Sequence, residues 1–302
     1  MLIGGNLLDV VRKIRQIVNE FRFGLYDINN KLNSIREALG RIELRQNWGD
    51  PASDIRSSEF QVYSQWGEDG IVQHILRHVE IEKQIFVEFG VERYSEANTR
   101  FLLVNNNWVG LVIDGSAQHV EFIKTDPVYW RYNLKAVCAF ITEKNINELF
   151  KCNGITGDIG LLSIDIDGND FWIWNQIEVI SPRIVIVEYN SRLGVEKSVT
   201  VPYDETFDRR SAHYSMVYYG ASLRALVNLG RRKGYAFVGC NSNGVNAFFV
   251  RLDVLGVLKE MTVEQGYVAG KFREARNLDG SLAYLSSKEE IDLLNQLPWV
   301  EV

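Results

Sequence analysis

With 302 residues, 46% of them hydrophobic and 24% charged, the chain can build a full globular core, which excludes an intrinsically disordered protein. A net charge of −6 excludes a general attraction to nucleic acid, and no apolar run reaches the ~18 residues of a transmembrane segment. Cys138, Cys152 and Cys240 lack metal-type spacing and read as reduced, buried thiols. Basic residues interrupt the N-terminal apolar positions from Arg12 onward, so no signal-peptide layout is present. The expectation is a cytoplasmic protein.

Residues 1–47 predict a separate device. Leu7, Val11, Ile14, Val18, Phe21, Leu25, Ile28, Leu32, Ile35, Leu39 and Ile42 recur with a 4-3 alternation over about five heptads. Val11, Val18, Leu25, Leu32 and Leu39 fall at a, and Ile14, Phe21, Ile28, Ile35 and Ile42 at d. A helix of this stripe must cover it, either on another copy or on its own domain; self-association through residues 7–42 is the reading adopted. The arm carries +3, leaving −9 for the rest, so a peripheral membrane contact stays open. Gly49-Asp50-Pro51-Ala52-Ser53-Asp54 punctuates the chain, which places a linker at 48–58.

From there strands and helices alternate. Strands are expected at Ile85–Phe89, Trp108–Ile113, Leu134–Phe140, Ile159–Ile164 and Ile184–Val187. Helices are expected at 98–104, 117–124, 143–150, 171–180 and 221–233. Alternation at this spacing implies a doubly wound, mostly parallel sheet with right-handed crossovers. Tyr235–Cys240 and Val245–Arg251 flank Asn241-Ser242-Asn243-Gly244, a hairpin signal. The result is a seven-stranded α/β domain over residues 59–252 with a terminal antiparallel hairpin. Residues 253–302 read as a helical extension without nameable chemistry.

Ligands of open α/β sheets sit at the carboxyl ends of the strands. The acids there are Glu88 before Gly90, Asp114 before Gly115-Ser116, Asp165 and Asp167, and Glu188 followed by Asn190. Asp114 suits the ribose hydroxyls of a nucleoside cofactor. No G-x-G-x-x-G fingerprint follows the first strand, which argues against a nicotinamide-dependent oxidoreductase, the alternative enzyme class. A non-catalytic coiled-coil scaffold is the third possibility.

Five parallel strands closed by a hairpin resemble the class I S-adenosylmethionine-dependent methyltransferases. Ser64-Gln65-Trp66-Gly67-Glu68-Asp69-Gly70, Phe86-Val87-Glu88-Phe89-Gly90 and Ser163-Ile164-Asp165-Ile166-Asp167-Gly168 together resemble the FkbM-type members, over roughly residues 60–252. In that family the usual Asp-Val-Glu-Gly element has Glu where this chain has Asp167. The resemblance implies a Rossmann-like methyltransferase fold and S-adenosylmethionine as cofactor. It also implies methyl transfer to a hydroxyl of a sugar or polysaccharide-like acceptor. It gives Glu88, Gly90, Asp114, Gly115, Ser116 and Asp165 as cofactor-binding residues.

Transfer to a hydroxyl requires the acceptor oxygen to be positioned and its proton removed. Either Asp165, Asp167 or His213 acts as base, or Asp165, Glu188 and Asn190 bind Mg²⁺, an arrangement similar to catechol and macrocin O-methyltransferases. His213 lies in the long loop 191–219, expected as an acceptor lid. Tyr203, Phe207, Tyr214, Tyr218, Tyr219, Trp172 and Trp174 offer faces for a sugar ring or for the core.

Overall fold

The computed structural model describes residues 4–46 and 54–302. Most of the expected linker, residues 48–53, lies outside the described residues. The chain divides into two units, Met1–Asn47 and Trp48–Val302.

The first unit is one helix, α1 (Gly4–Gln46). Its a and d side chains from Val11 to Ile42 stand 43–67% exposed. Gly24 meets nothing within 4 Å and does not interrupt the helix.

In the second unit, the parallel strands are β1 (Ile85–Phe89), β2 (Val109–Asp114), β3 (Leu134–Cys138), β4 (Gly157–Ile164) and β5 (Ile180–Glu188). A two-residue strand, β6 (Val199–Thr200), comes next. The hairpin is β7 (Tyr235–Cys240) and β8 (Asn246–Arg251), and β9 (Val300–Glu301) pairs with β6. The main sheet has seven strands in the order β3-β2-β1-β4-β5-β8-β7, with only the pairs of β8 antiparallel. This is a mostly parallel, doubly wound α/β sheet with an antiparallel hairpin at one edge. Strand order reverses between β1 and β4, the switch point where such sheets bind ligands.

Alternation along the strands feeds two apolar layers. Val87, Leu111, Leu162, Val185 and Phe249 face one; Phe86, Val112, Leu161, Ile184 and Phe248 face the other. Both faces are therefore covered, which is why these strands read as continuous apolar runs. β5 starts four residues earlier than expected, with Pro182 inside it opposite Ile159 of β4; β8 first pairs at Ile184, beyond the proline.

The helices that position the site are α2 (Glu68–His78), α3 (Arg100–Asn106) and α4 (Ala117–Thr125). They continue with α5 (Pro127–Arg131), α6 (Ile146–Cys152), α7 (Asp170–Gln176), α8 (Arg209–Ala212) and α9 (Leu223–Arg232). The caps explain their starts: Ser116, Asp126 and Ser222 each accept a backbone N–H of the first turn.

Two expectations are corrected. Residues 253–302 are not a separate helical appendage: the helices α10 (Val263–Gly266) and α11 (Ser287–Leu294) are short, and most of the segment is irregular. Ala275, Ala283 and Leu294 from it pack with Val199, Val201, Val217 and Tyr218 in a third apolar cluster. Of the cysteines only Cys240 is buried; Cys138 and Cys152, the last residues of β3 and of the helix Ile146–Cys152, are exposed.

Candidate active site

Gly90 directly follows β1, in the left-handed region at φ +66. A Cβ there would stand 1.7 Å from the main-chain oxygen of Asp165. Only glycine lets the tips of β1 and β4 close to this distance. The close approach is thus to a neighbouring strand, in addition to any ligand.

The loop after β4 is held by Asp170, whose carboxylate accepts the N–H of Ile166 and of Gly168, both at 2.9 Å. Burial pushes Asp170 up to about 6, against those bonds. Asp170 therefore organises the loop before α7, and Asp167 within it adopts φ +57.

Two adjoining hollows open across the strand tips and share Gly90, Glu92, Asp165 and Asp167. The smaller, of about 230 Å³, lies over β2 and β3 and is lined by Asp114, Gly115, Ser116, His119, Phe140 and Ile141, among others. Asp114 accepts Glu92 N–H and Ser116 N–H, each at 2.8 Å, and lies 3.1 Å from His119 Nδ1. All three expected residues of this strand end, Asp114, Gly115 and Ser116, line one wall. Ala139 and Phe140 line it too, while Cys138 does not.

The larger hollow, of about 460 Å³, lies over β1, β4 and β5, and its acids are Glu88, Glu92, Glu96, Asp165, Asp167, Glu188 and Glu274. Glu88 accepts Asn98 N–H at 2.8 Å and Thr99 N–H at 3.1 Å, with a further bond from the Thr99 hydroxyl. Burial nevertheless pushes its carboxyl up to about 7. Carboxylate oxygens of Asp165, Asp167 and Glu188 lie within 4.8 Å of one another. Burial, then Asp167 and Asp170, drive Asp165 well above the carboxylate range. Burial and the neighbouring Asp165 and Asp167 do the same to Glu188. Glu188 Oε2 is buried without a hydrogen-bond partner among the described residues. An orphaned oxygen beside two other carboxylates is the donor set of a hard divalent cation such as Mg²⁺.

Arg209 lines the larger hollow beside these acids. Arg209 donates to Asp167 at 2.9 Å, lies 3.7 Å from the Tyr219 ring centroid, and pairs with Glu274. Glu274 also holds Arg192 at 2.7 Å. It belongs to the C-terminal segment, which sequence reasoning left without a role. The same segment brings Phe272 onto Trp66, with ring centroids 5.7 Å apart, and both line the larger hollow. The local sequence, Phe272-Arg273-Glu274-Ala275, carries no pattern that would mark it as part of a site.

Three expected participants stand elsewhere. Asn190 is fully buried and its amide is consumed by structure: it donates to Val217 O and Tyr219 O and accepts Arg192 N–H. It lies two residues past β5, where the chain turns into the core, so it does not share the face of Glu188. His213 follows α8, contacts Ser215 Oγ at 2.7 Å, and lines neither hollow. Burial pushes its imidazole down. Of the seven expected aromatics, only Phe207 reaches the cleft, in the smaller hollow; Trp174 and Tyr219 are core, and Trp172 donates to Val201 O.

The Ser64–Gly70 motif is chiefly architectural. Asp69 Oδ2 accepts the N–H groups of Val62, Tyr63 and Ser64 within 2.8 Å. Glu68 accepts Trp66 N–H and Gly67 N–H with one oxygen and Asn241 and Asn246 Nδ2 with the other. Only the tip, Gln65-Trp66, lines the cleft.

No family model matches the chain, and no curated protein matches it in sequence. Among solved structures it is similar to the N-terminal domain of EvdMO1 with SAH bound, at 10% identity, 71% of this chain, 94% of that one and a TM-score of 0.40. It is similar to a Clostridium acetobutylicum S-adenosylmethionine-dependent methyltransferase at 9% identity, 61% of this chain, 90% of that one and a TM-score of 0.38. The Methanococcus jannaschii fibrillarin pre-rRNA processing protein is similar at 10% identity, 57% of this chain, 67% of that one and a TM-score of 0.37.

Proposed function

We propose that the chain is an S-adenosylmethionine-dependent O-methyltransferase of FkbM type acting on a hydroxyl of a sugar-like acceptor. The observation that carries the reading is one cleft with two chemically different ends at the switch point of the sheet. Asp114 stands at one end, and Asp165, Asp167 and Glu188 at the other.

Bound at this cleft, S-adenosylmethionine supplies an electrophilic methyl group on a sulfonium. Asp114 accepts the ribose hydroxyls, with Ser116 and His119 beside it. Phe140 gives the base an apolar wall. Glu88 keeps the 98–99 turn in place beside the amino-acid end. Asp165, kept basic by burial and like charges, accepts the acceptor's hydroxyl proton; Asp167 is the alternative base. Mg²⁺ held by Asp165, Asp167 and Glu188 would acidify that hydroxyl instead. The fit rests on the unpartnered Glu188 oxygen. Trp66 and Phe272 offer the apolar wall against which a sugar ring packs.

Calorimetric titration with S-adenosylhomocysteine and with NADH tests the class. Micromolar binding of the former alone is expected; the opposite preference would return the oxidoreductase reading. Activity lost to a chelator and restored by Mg²⁺ would select the metal over the plain base.

The apolar stripe of α1 supports a second reading, self-association through residues 7–42. Val10 and Ile17, at g, are also exposed and widen the stripe beyond a and d. Changing Val18 and Phe21 to Glu should lower the mass seen by light scattering; an unchanged mass would refute it.

A further inference from the structure

Asn246 opens β8 directly opposite Glu188 in the antiparallel register of β5 and β8. Opposed residues of such a pair have Cα atoms about 5 Å apart. Both line the larger hollow, and both are buried, Asn246 at 4% exposure and Glu188 at 7%. Asn246 Nδ2 donates to Glu68 Oε1 at 3.0 Å, whereas its Oδ1 has no hydrogen-bond partner among the described residues. The orientation of this amide is chemically fixed, because turning it over would set an oxygen against the Glu68 carboxylate. The oxygen left over is thus committed to something other than the protein's own N–H groups.

We propose that Asn246 Oδ1 is a neutral oxygen ligand of the divalent cation held by Asp165, Asp167 and Glu188, with Glu68 as the outer carboxylate that orients it; this rests on the metal reading above. Two residues on adjacent strands with buried, unpartnered oxygens, Glu188 and Asn246, line one hollow together with Asp165 and Asp167. A hard cation takes amide carbonyls alongside carboxylates. A carboxylate hydrogen-bonded behind the ligand polarises it and holds its rotamer. The buried Glu68, which the sequence motif places far from the strand tips, thereby gains a role in the site.

The test is titration of the full chain with Mn²⁺, read by loss of the free-ion electron paramagnetic signal, for the unchanged protein, Asn246→Ala and Glu68→Gln. Crystals of the unchanged protein grown with Mn²⁺ accompany it. Asn246→Ala should weaken Mn²⁺ binding about 10- to 100-fold and Glu68→Gln by less, and the ion should lie within about 2.6 Å of Asn246 Oδ1. Mn²⁺ bound equally by Asn246→Ala, or an ion more than about 3.5 Å from Oδ1, overturns the assignment and leaves the metal reading standing. No Mn²⁺ binding by the unchanged protein overturns both. If Asn246→Ala fails to fold, the ion's position in the crystal decides.

Discussion

Gly90 and Asp165 are in contact through backbone alone: a Cβ on Gly90 would overlap the Asp165 carbonyl oxygen at 1.7 Å. That contact brings the end of β1 to the end of β4 and so places Glu88 and Asp165 around one hollow. Gly90→Ala meets both a steric overlap and an unfavourable φ of +66. A loss of about 2 kcal/mol or more is expected, seen as a Tm fall of roughly 4–8 °C. An unchanged Tm would show that the two tips need not close.

Asp114 should decide cofactor binding without deciding the fold. Two charge-assisted hydrogen bonds to ribose are worth about 3 kcal/mol together, so Asp114→Ala should weaken S-adenosylhomocysteine binding by about 100-fold or more in calorimetry. Affinity within threefold of the unchanged protein would remove Asp114 from the pocket.

Glu274 ties the C-terminal segment to the acids by pairing with Arg192 and Arg209. Both guanidiniums are largely buried and Glu274 is partly so, which keeps the pairing strong. Glu274→Ala leaves them without this partner and should cost about 2 kcal/mol. It should lower kcat through a displaced Arg209 while leaving S-adenosylhomocysteine affinity intact. Equal loss in kcat and cofactor affinity would mean a general collapse of the cleft instead.

The buried acids give a sign for pH dependence. Burial raises Glu88 to about 7 and drives Asp165 and Glu188 well above the carboxylate range. Unfolded, such groups titrate near 4. Between about pH 4 and the raised values the folded chain keeps protons that the unfolded chain has released, so stability falls as pH rises. The contribution is complete below about pH 4 and is lost on passing pH 7 and above. Buried His74, pushed down by desolvation, opposes this only below about pH 6.5. The urea midpoint should therefore drop from pH 6.5 to 8 in the metal-free protein. Glu188→Gln should flatten that drop and raise stability at pH 8 by about 1 kcal/mol while abolishing Mn²⁺ binding. A midpoint that rises with pH would contradict the account.

How legible the molecule is from its sequence depends on whether a residue's task is local. Apolar runs bounded by glycine and acids mark β1, β2 and β4, and Asn243-Gly244 marks the hairpin, because burial and turn chemistry act over a few neighbours. Asp114, Gly115 and Ser116 share a strand end and line one hollow for the same reason. Asn190 was misread because alternation along β5 says nothing about the turn that follows it. Asn246 and Glu274 were invisible: one reaches the site by cross-strand register, the other by the return of an irregular segment. Glu68 and Asp69 sit in the quoted Ser64–Gly70 motif, and their carboxylates accept backbone and amide N–H groups around the 59–70 turn, contacts that the motif alone does not reveal.

The central claim is that a nucleoside cofactor spans the cleft from Asp114 to the acids of β4 and β5. A crystal of the full chain with S-adenosylhomocysteine tests it most directly. The account predicts ribose hydroxyls on Asp114 and the sulfur turned toward Asp165 and Glu188. Ligand bound elsewhere, or none bound at millimolar concentration, would contradict it.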